Sequence, residues 1–204
     1  MSGLVIAAPL RLEAAMIKSG ARGAAVHRTG MGPRRARAAA PGLLDRPGAA
    51  LVVMGFGGGL DEHSDVGDVV VAEVVLGPDG ERVACAGAEA LGEALERRGL
   101  TVRRGPIASV ARLAMGETRV TLRNNGAIAV DMESVWLAPG AGARPFAVVR
   151  VISDTPAREL TRPLATVAGV ARASAALRRA AGALHECSPE AWAAAAERAY
   201  RTMS

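Results

Sequence analysis

Leu51-Val52-Val53-Met54 constrains the fold of this chain more than any other stretch. Apolar residues fill both faces of this short run, as a strand requires when layers cover it on both sides. A half-covered antiparallel strand would alternate apolar with polar residues. Gly55-Phe56-Gly57-Gly58-Gly59-Leu60 follows at once and reads as a loop at the strand's C-terminal end, where α/β sheets bind ligands.

The flanking pattern extends the same idea. Leu4–Ala8 reads as a first buried strand stopped by Pro9, and Leu10, Ala14 and Ile17 share one face of a helix over 10–19. A second strand over 24–29 ends in Gly30-Met31-Gly32, and Pro33 suits the first turn of a helix over 33–44. Further strands are expected over 66–72, 127–130 and 146–151, with an extended connection over 101–110 and a turn at 78–80. Helices are expected over 88–97, 164–184 and 189–201. This alternation predicts an α/β fold. The 204 residues show no repeat and no long linker, so 1–204 reads as a single domain.

The chain is 50% hydrophobic but only 2% aromatic, so Ala, Val and Leu must fill the core through close packing of small side chains. The longest apolar run, Leu51–Gly59, is too short to span a membrane. The first residues lack the basic leader of a secretory segment. Two cysteines, Cys85 and Cys187, have neither metal nor redox spacing, and a cytoplasmic location is expected. The net charge of +5 comes from arginines interleaved with alanine, as in Arg34-Arg35-Ala36-Arg37. Such runs are solvated helix faces, and without a zinc finger, aromatic RNA-binding strand or dense basic arm no nucleic-acid partner is expected. His27, His63 and His185 have no metal spacing, and the acidic cluster over 61–65 lacks a calcium-loop pattern. Neither a metal nor a cofactor is assigned.

Two late motifs carry chemistry. In Asp131-Met132-Glu133-Ser134 a carboxylate can accept hydrogen bonds from both ribose hydroxyls, and a thioether can lie against a nucleoside. The same residues also make an ordinary helix start. Ser153-Asp154 follows a buried strand, where Asp154 can protonate purine N7 or simply cap a turn. Glu13 can act as a general base if its helix turns it inward; surface charge is the commoner use of such a position. The residues alone leave these alternatives open.

Taken in order, Gly58-Gly59-Leu60, Val66-Gly67-Asp68-Val69-Val70-Val71, Val130-Asp131-Met132-Glu133 and Ile152-Ser153-Asp154 resemble the nucleoside phosphorylase superfamily, in particular its purine nucleosidase branch. The resemblance implies a three-layer α/β/α fold with a twisted mixed central sheet. It implies Glu13 and Asp154 as catalytic groups, Met132 and Glu133 at the ribose, and Val151, Ile152 and Ser153 at the base. Ala8, Arg11, Gly30, Phe56, Gly57 and Gly58 would form a loop region for phosphate or water. The Asp131 form of the motif, the abbreviated segment between Val75 and Ala90 and the Gly-Met-Gly-Pro stretch are most similar to hopanoid-associated phosphorylase-like proteins. That likeness implies adenosylhopane, a lipid-like adenine nucleoside, with Leu113, Met115 and Phe56 lining an apolar groove. Phe56 stands where a phosphate-binding serine would be expected and Glu13 suits water, so hydrolysis is favoured over phosphorolysis. Noncatalytic nucleoside binding is a further alternative. A homo-oligomer is implied, with a dimer favoured.

Overall fold

A computed structural model describes residues 3–156, 163–186 and Ala194. Cys187 and, apart from Ala194, the helix expected over 189–201 lie outside the described residues.

Strand β1 (Leu4–Ala8) lies between β2 (Ala25–Arg28) and β3 (Ala50–Gly59), both parallel to it. On its other edge β3 carries β8 (Phe146–Asp154), also parallel. The early part of β4 (Val69–Leu76) runs antiparallel to β8, and its later part pairs with β5 (Arg82–Ala84). The opposite edge of β4 takes β6 (Val102–Ser109) in parallel. Finally β7 (Ala129–Asp131) joins β6 to the glycine end of β3. Pairing therefore runs from β3 through β8, β4, β6 and β7 back to β3. Part of this mixed sheet curls into a ring, which removes open edges there.

Helices cover both faces, as the doubly apolar strands require. Val52 and Met54 point into one core with α1 (Arg11–Gly20), α3 (Ala88–Arg97) and α6 (Pro163–Ala183). Leu51 and Val53 point into the other with α2 (Pro33–Leu44) and α5 (Ser134–Leu137). Small residues let these layers approach closely. On α6, Ala173, Ala176, Leu177, Ala180 and Ala181 form the buried stripe. A third, smaller core of Leu60, Ala108, Ala114, Ala127 and Val130 lies beside α4 (Glu117–Asn124). Among the described residues, no helix is long and apolar enough to cross a membrane.

Three expectations need correction. The glycine-rich segment is a strand, since β3 continues to Gly59 with Gly55–Gly57 paired to Arg150–Ile152. These glycines provide space rather than turns. A Cβ on Gly55 would lie 2.5 Å from Glu13 Oε1, and one on Gly57 would lie 3.1 Å from the carbonyl oxygen of Val130. The strand expected from 66 begins at Val69, because Gly67 takes φ +98° and the Asp68 carboxylate accepts the Asp65 N–H at 2.9 Å. The connection over 101–110 is strand β6, held between β4 and β7. β5, α4 and α5 had no counterpart in the sequence pattern, being short or weakly apolar.

Candidate active site

The C-terminal ends of β3 and β8, the chain leaving β1 and the Asp131–Glu133 turn surround an open cavity of about 170 Å³. Its wall includes Glu13, Phe56, Met132, Glu133, Ser153 and Asp154. Glu13 arrives there because α1 begins at Arg11, placing it in the first turn. Its Oε2 accepts the Leu10 N–H at 2.5 Å, and its Oε1 accepts the Phe56 N–H at 2.7 Å. One carboxylate thus caps its own helix and ties it to β3. Glu13 is 2% exposed, so the surface-charge alternative fails. Burial raises its pKa above the ordinary value, against the pull of Arg150 and the two amides.

Glu133 meets the N-terminus of α2, where the Gly32 N–H donates to Oε1 at 2.9 Å. Its Oε2 lies 3.3 Å from Arg150 Nη2. Burial raises this carboxyl too, more than Arg150 lowers it. Asp131 sits deeper. Its Oδ1 accepts from Ser109 Oγ at 2.7 Å and from the Glu133 and Ser134 amides at 3.1 and 3.2 Å. Its Oδ2 accepts from Ser134 Oγ and, at 2.9 Å, from Arg150 Nε. Burial opposes the Asp131 charge, but Arg150 and the two serine hydroxyls prevail and hold its carboxyl below the ordinary value. The helix-start reading of this motif therefore holds in part, with Asp131 bracing the turn, while Glu133 faces the cavity.

Arg150 organises the acids. It is fully buried, and it donates to Asp131, Glu133, Ser134 Oγ at 3.1 Å and the Phe56 carbonyl at 3.4 Å. Burial opposes its charge, but Asp131, Glu133 and Glu13 raise its pKa further. A guanidinium presents several donors in a fixed plane, so one side chain can hold several acceptors in register.

At the other end of the cavity, Ser153 Oγ lies 3.0 Å from Asp154 Oδ1 and 3.3 Å from the Gly57 carbonyl. Arg119 Nη2 donates to Asp154 Oδ2. The rest of that guanidinium is engaged by the carbonyls of Ala114 at 2.9 Å and Gly59 at 3.1 Å.

The structure thus brings Glu13, Met132, Glu133, Ser153, Asp154, Phe56, Gly57 and Gly58 to one cavity. Five other candidates do not reach its wall. Ala8 is buried in β1, and its carbonyl accepts the Thr29 N–H at 3.0 Å. The Gly30 N–H donates to the Pro9 carbonyl at 3.1 Å, and Arg11 is exposed on α1. Val151 is buried in the core beneath α1 and α6. Ile152 is buried in the opposite core, and both its N–H and its carbonyl bond the 67–68 segment at 2.8 Å. Of the apolar groove residues, Leu113 and Phe56 line the cavity and Met115 does not.

Sequence reasoning missed Arg150, Asp131 as its anchor, and Arg119. A signal existed for the first two. An arginine between Val149 and Val151 in an otherwise apolar strand must find buried acceptors, and Asp131 and Glu133 were the nearest motif to supply them. Arg119 stands in a polar helix and carried no comparable mark.

A comparison with family models matches residues 8–188 to the phosphorylase superfamily. Among solved structures, the fold is similar to the 5'-methylthioadenosine/S-adenosylhomocysteine nucleosidase of Neisseria meningitidis in complex with methylthio-immucillin-A. That match has TM-score 0.74 and 19% identity, covering 90% of this chain and 99% of that one. The S-adenosylhomocysteine nucleosidase of Streptococcus pyogenes gives 0.72 at 18% identity, covering 88% and 95%. A putative nucleosidase of the same kind from Borrelia burgdorferi, bound to adenine, gives 0.74 at 16%, covering 90% and 99%. A search of curated proteins gave no match. With the family model spanning nearly all of its length, the chain belongs to the phosphorylase superfamily.

Proposed function

We propose that the protein hydrolyses the N-glycosidic bond of an adenine nucleoside with an apolar 5′ substituent, as a purine nucleosidase. One observation carries this reading: Glu13, Glu133 and Asp154, far apart in sequence, line one cavity. The fold neighbours that hold a nucleoside analogue or adenine support the same substrate class. In this mechanism Glu133 accepts the ribose hydroxyls while Met132 lies along the sugar. Glu13 takes a proton from water as the water oxygen bonds to C1′. The C1′–N9 electron pair passes to the purine, and Asp154 gives its proton to N7. Ser153 orients that acid.

Water is the acceptor that suits the wall. Among the described residues, its one cation is Arg119, whose guanidinium is already engaged by Asp154 and the carbonyls of Ala114 and Gly59, and the buried Glu13 carboxylate would repel phosphate. Leu10, Met31 and Leu113 line the cavity yet are 36%, 49% and 55% exposed, which favours an apolar group leaving through that side. Adenosylhopane is a substrate of this kind.

Adenine release from methylthioadenosine, inosine and adenosylhopane should be followed with and without phosphate. The expected result is phosphate-independent release of adenine and a free ribosyl product, with inosine poor. Phosphate-dependent formation of ribose 1-phosphate products would overturn hydrolysis.

The pH profile offers a second check. Glu13 must be ionised to accept a proton, and burial raises its pKa. Activity is therefore present above that raised value and lost as pH falls through it. The acid limb of kcat/KM is expected above the ordinary glutamate value of about 4.3, shared between Glu13 and Glu133. A limb at or below that value would contradict Glu13 as the base.

A further inference from the structure

The hydrolysis above uses Asp154 but leaves Arg119 without a role. We propose that Arg119 is a positioning residue that stabilises the Asp154 carboxylate formed once its proton has passed to the purine. The site thereby becomes complementary to a base carrying hydrogen on N7. This inference rests on the proposed nucleosidase reading and extends it.

Arg119 is 4% exposed, and its guanidinium is spent on three acceptors: the carbonyls of Ala114 and Gly59, and Asp154 Oδ2. The two carbonyls fix the plane of the fork and with it the directions of the Nη2 donors, one of which meets Asp154 Oδ2. Gly58 is small where the fork passes, since a Cβ there would lie 3.0 Å from Nη2. An oxygen that faces an N–H donor cannot carry a proton in that direction. Oδ2 is therefore the constant acceptor, and the exchangeable proton belongs on Oδ1, 3.0 Å from Ser153 Oγ, once the Ser153 hydroxyl donates to the Gly57 carbonyl instead.

The balance of charge gives this geometry a consequence. Before the step, Asp154 carries a proton on Oδ1 and N7 carries a lone pair. Afterwards N7 carries the hydrogen, and Asp154 is an anion beside Arg119. A buried cation at hydrogen-bond distance favours the second arrangement over the first. Interactions that strengthen as the reaction proceeds are those that accelerate it. The fixed fork also holds the carboxyl in place, and a displacement of about 1 Å can cost roughly a hundredfold in rate.

The test uses two isomeric bases of equal size. 9-Deazaadenine presents an N–H at position 7, whereas 7-deazaadenine presents a C–H there. Their affinities are measured calorimetrically for the wild-type protein, Arg119→Met and Arg119→Lys, alongside adenine release from methylthioadenosine. Wild type is expected to prefer 9-deazaadenine. Arg119→Met should lose at least tenfold of that preference and lower kcat more than it raises KM. Lysine keeps the charge without the fork, so Arg119→Lys should fall between them. Equal weakening of both bases would make Arg119 merely structural and overturn the inference, as would unchanged preference or faster turnover in Arg119→Met. If Arg119→Met does not fold, the same ratio in Arg119→Lys decides. A wild type that releases no adenine defeats the nucleosidase reading, while the ratio of base affinities still judges Arg119.

Discussion

Arg150→Met is expected to lower the free energy of unfolding by about 3–5 kcal/mol, the usual cost of removing one partner from a buried ion pair. The reason lies in what remains. Asp131, Glu133 and Glu13 would share one buried region without the cation that now faces Asp131 at 2.8 Å and Glu133 at 3.3 Å. Ser109 and the Glu133 and Ser134 amides would still serve Asp131, but none carries charge. Denaturant unfolding at pH 7 measures the loss. The Asp131 pKa is depressed in the folded protein, so its stabilising contribution is present above the unfolded value of about 3.9 and disappears as pH falls through the folded one. The gap between wild type and Arg150→Met should therefore narrow in acid. Adding Asp131→Asn should recover part of the stability by removing the uncompensated charge. A single variant within 1 kcal/mol of wild type at pH 7, on the order of an ordinary surface change, would show that Arg150 does not hold the acids together.

This network marks the boundary between what the chain discloses and what it hides. Residues of one strand announce themselves through their neighbours. Leu51 to Met54 disclosed a sheet covered twice, and the two cores confirm it residue by residue. Carboxylates were legible only as candidates for chemistry, because a helix start, a turn cap or surface charge accounted for each equally well. Their convergence was legible only through family likeness, since no periodicity relates Glu13 to Asp154. The glycines misled because Gly-rich sequence usually means a turn. Here the neighbouring Glu13 and Arg150 side chains occupy the space of the missing Cβ atoms, and a crossing side chain leaves no trace in local pattern. Val151 and Ile152 misled for the opposite reason. Their motif borders the site, but strand alternation sends one into each core. Arg119 could not be read at all, because its three acceptors come from three separate segments.

Glu13→Gln separates the catalytic part of this arrangement from its structural part. Glutamine matches glutamate in size and keeps one oxygen, but its amide nitrogen cannot accept. Of the two N–H groups now bound, Leu10 and Phe56, one must lose its acceptor. That loss costs about 1–3 kcal/mol, offset in part because a neutral side chain escapes the burial penalty that raises the Glu13 pKa. The protein should therefore fold, with a modestly lower Tm. Catalysis faces a larger change, since an amide takes no proton from water, and loss of a general base costs about 10²- to 10⁴-fold. Glu133, Ser153 and Asp154 remain, so adenine affinity should stay within about threefold of wild type, well under the 1.4 kcal/mol that marks a tenfold change. Single-turnover adenine release together with calorimetric binding of adenine reads both quantities on one preparation. Activity within tenfold of wild type would remove Glu13 from the base role. Equal loss of binding and turnover would show instead that the bond to Phe56 shapes the cavity, leaving the water to be activated by another group.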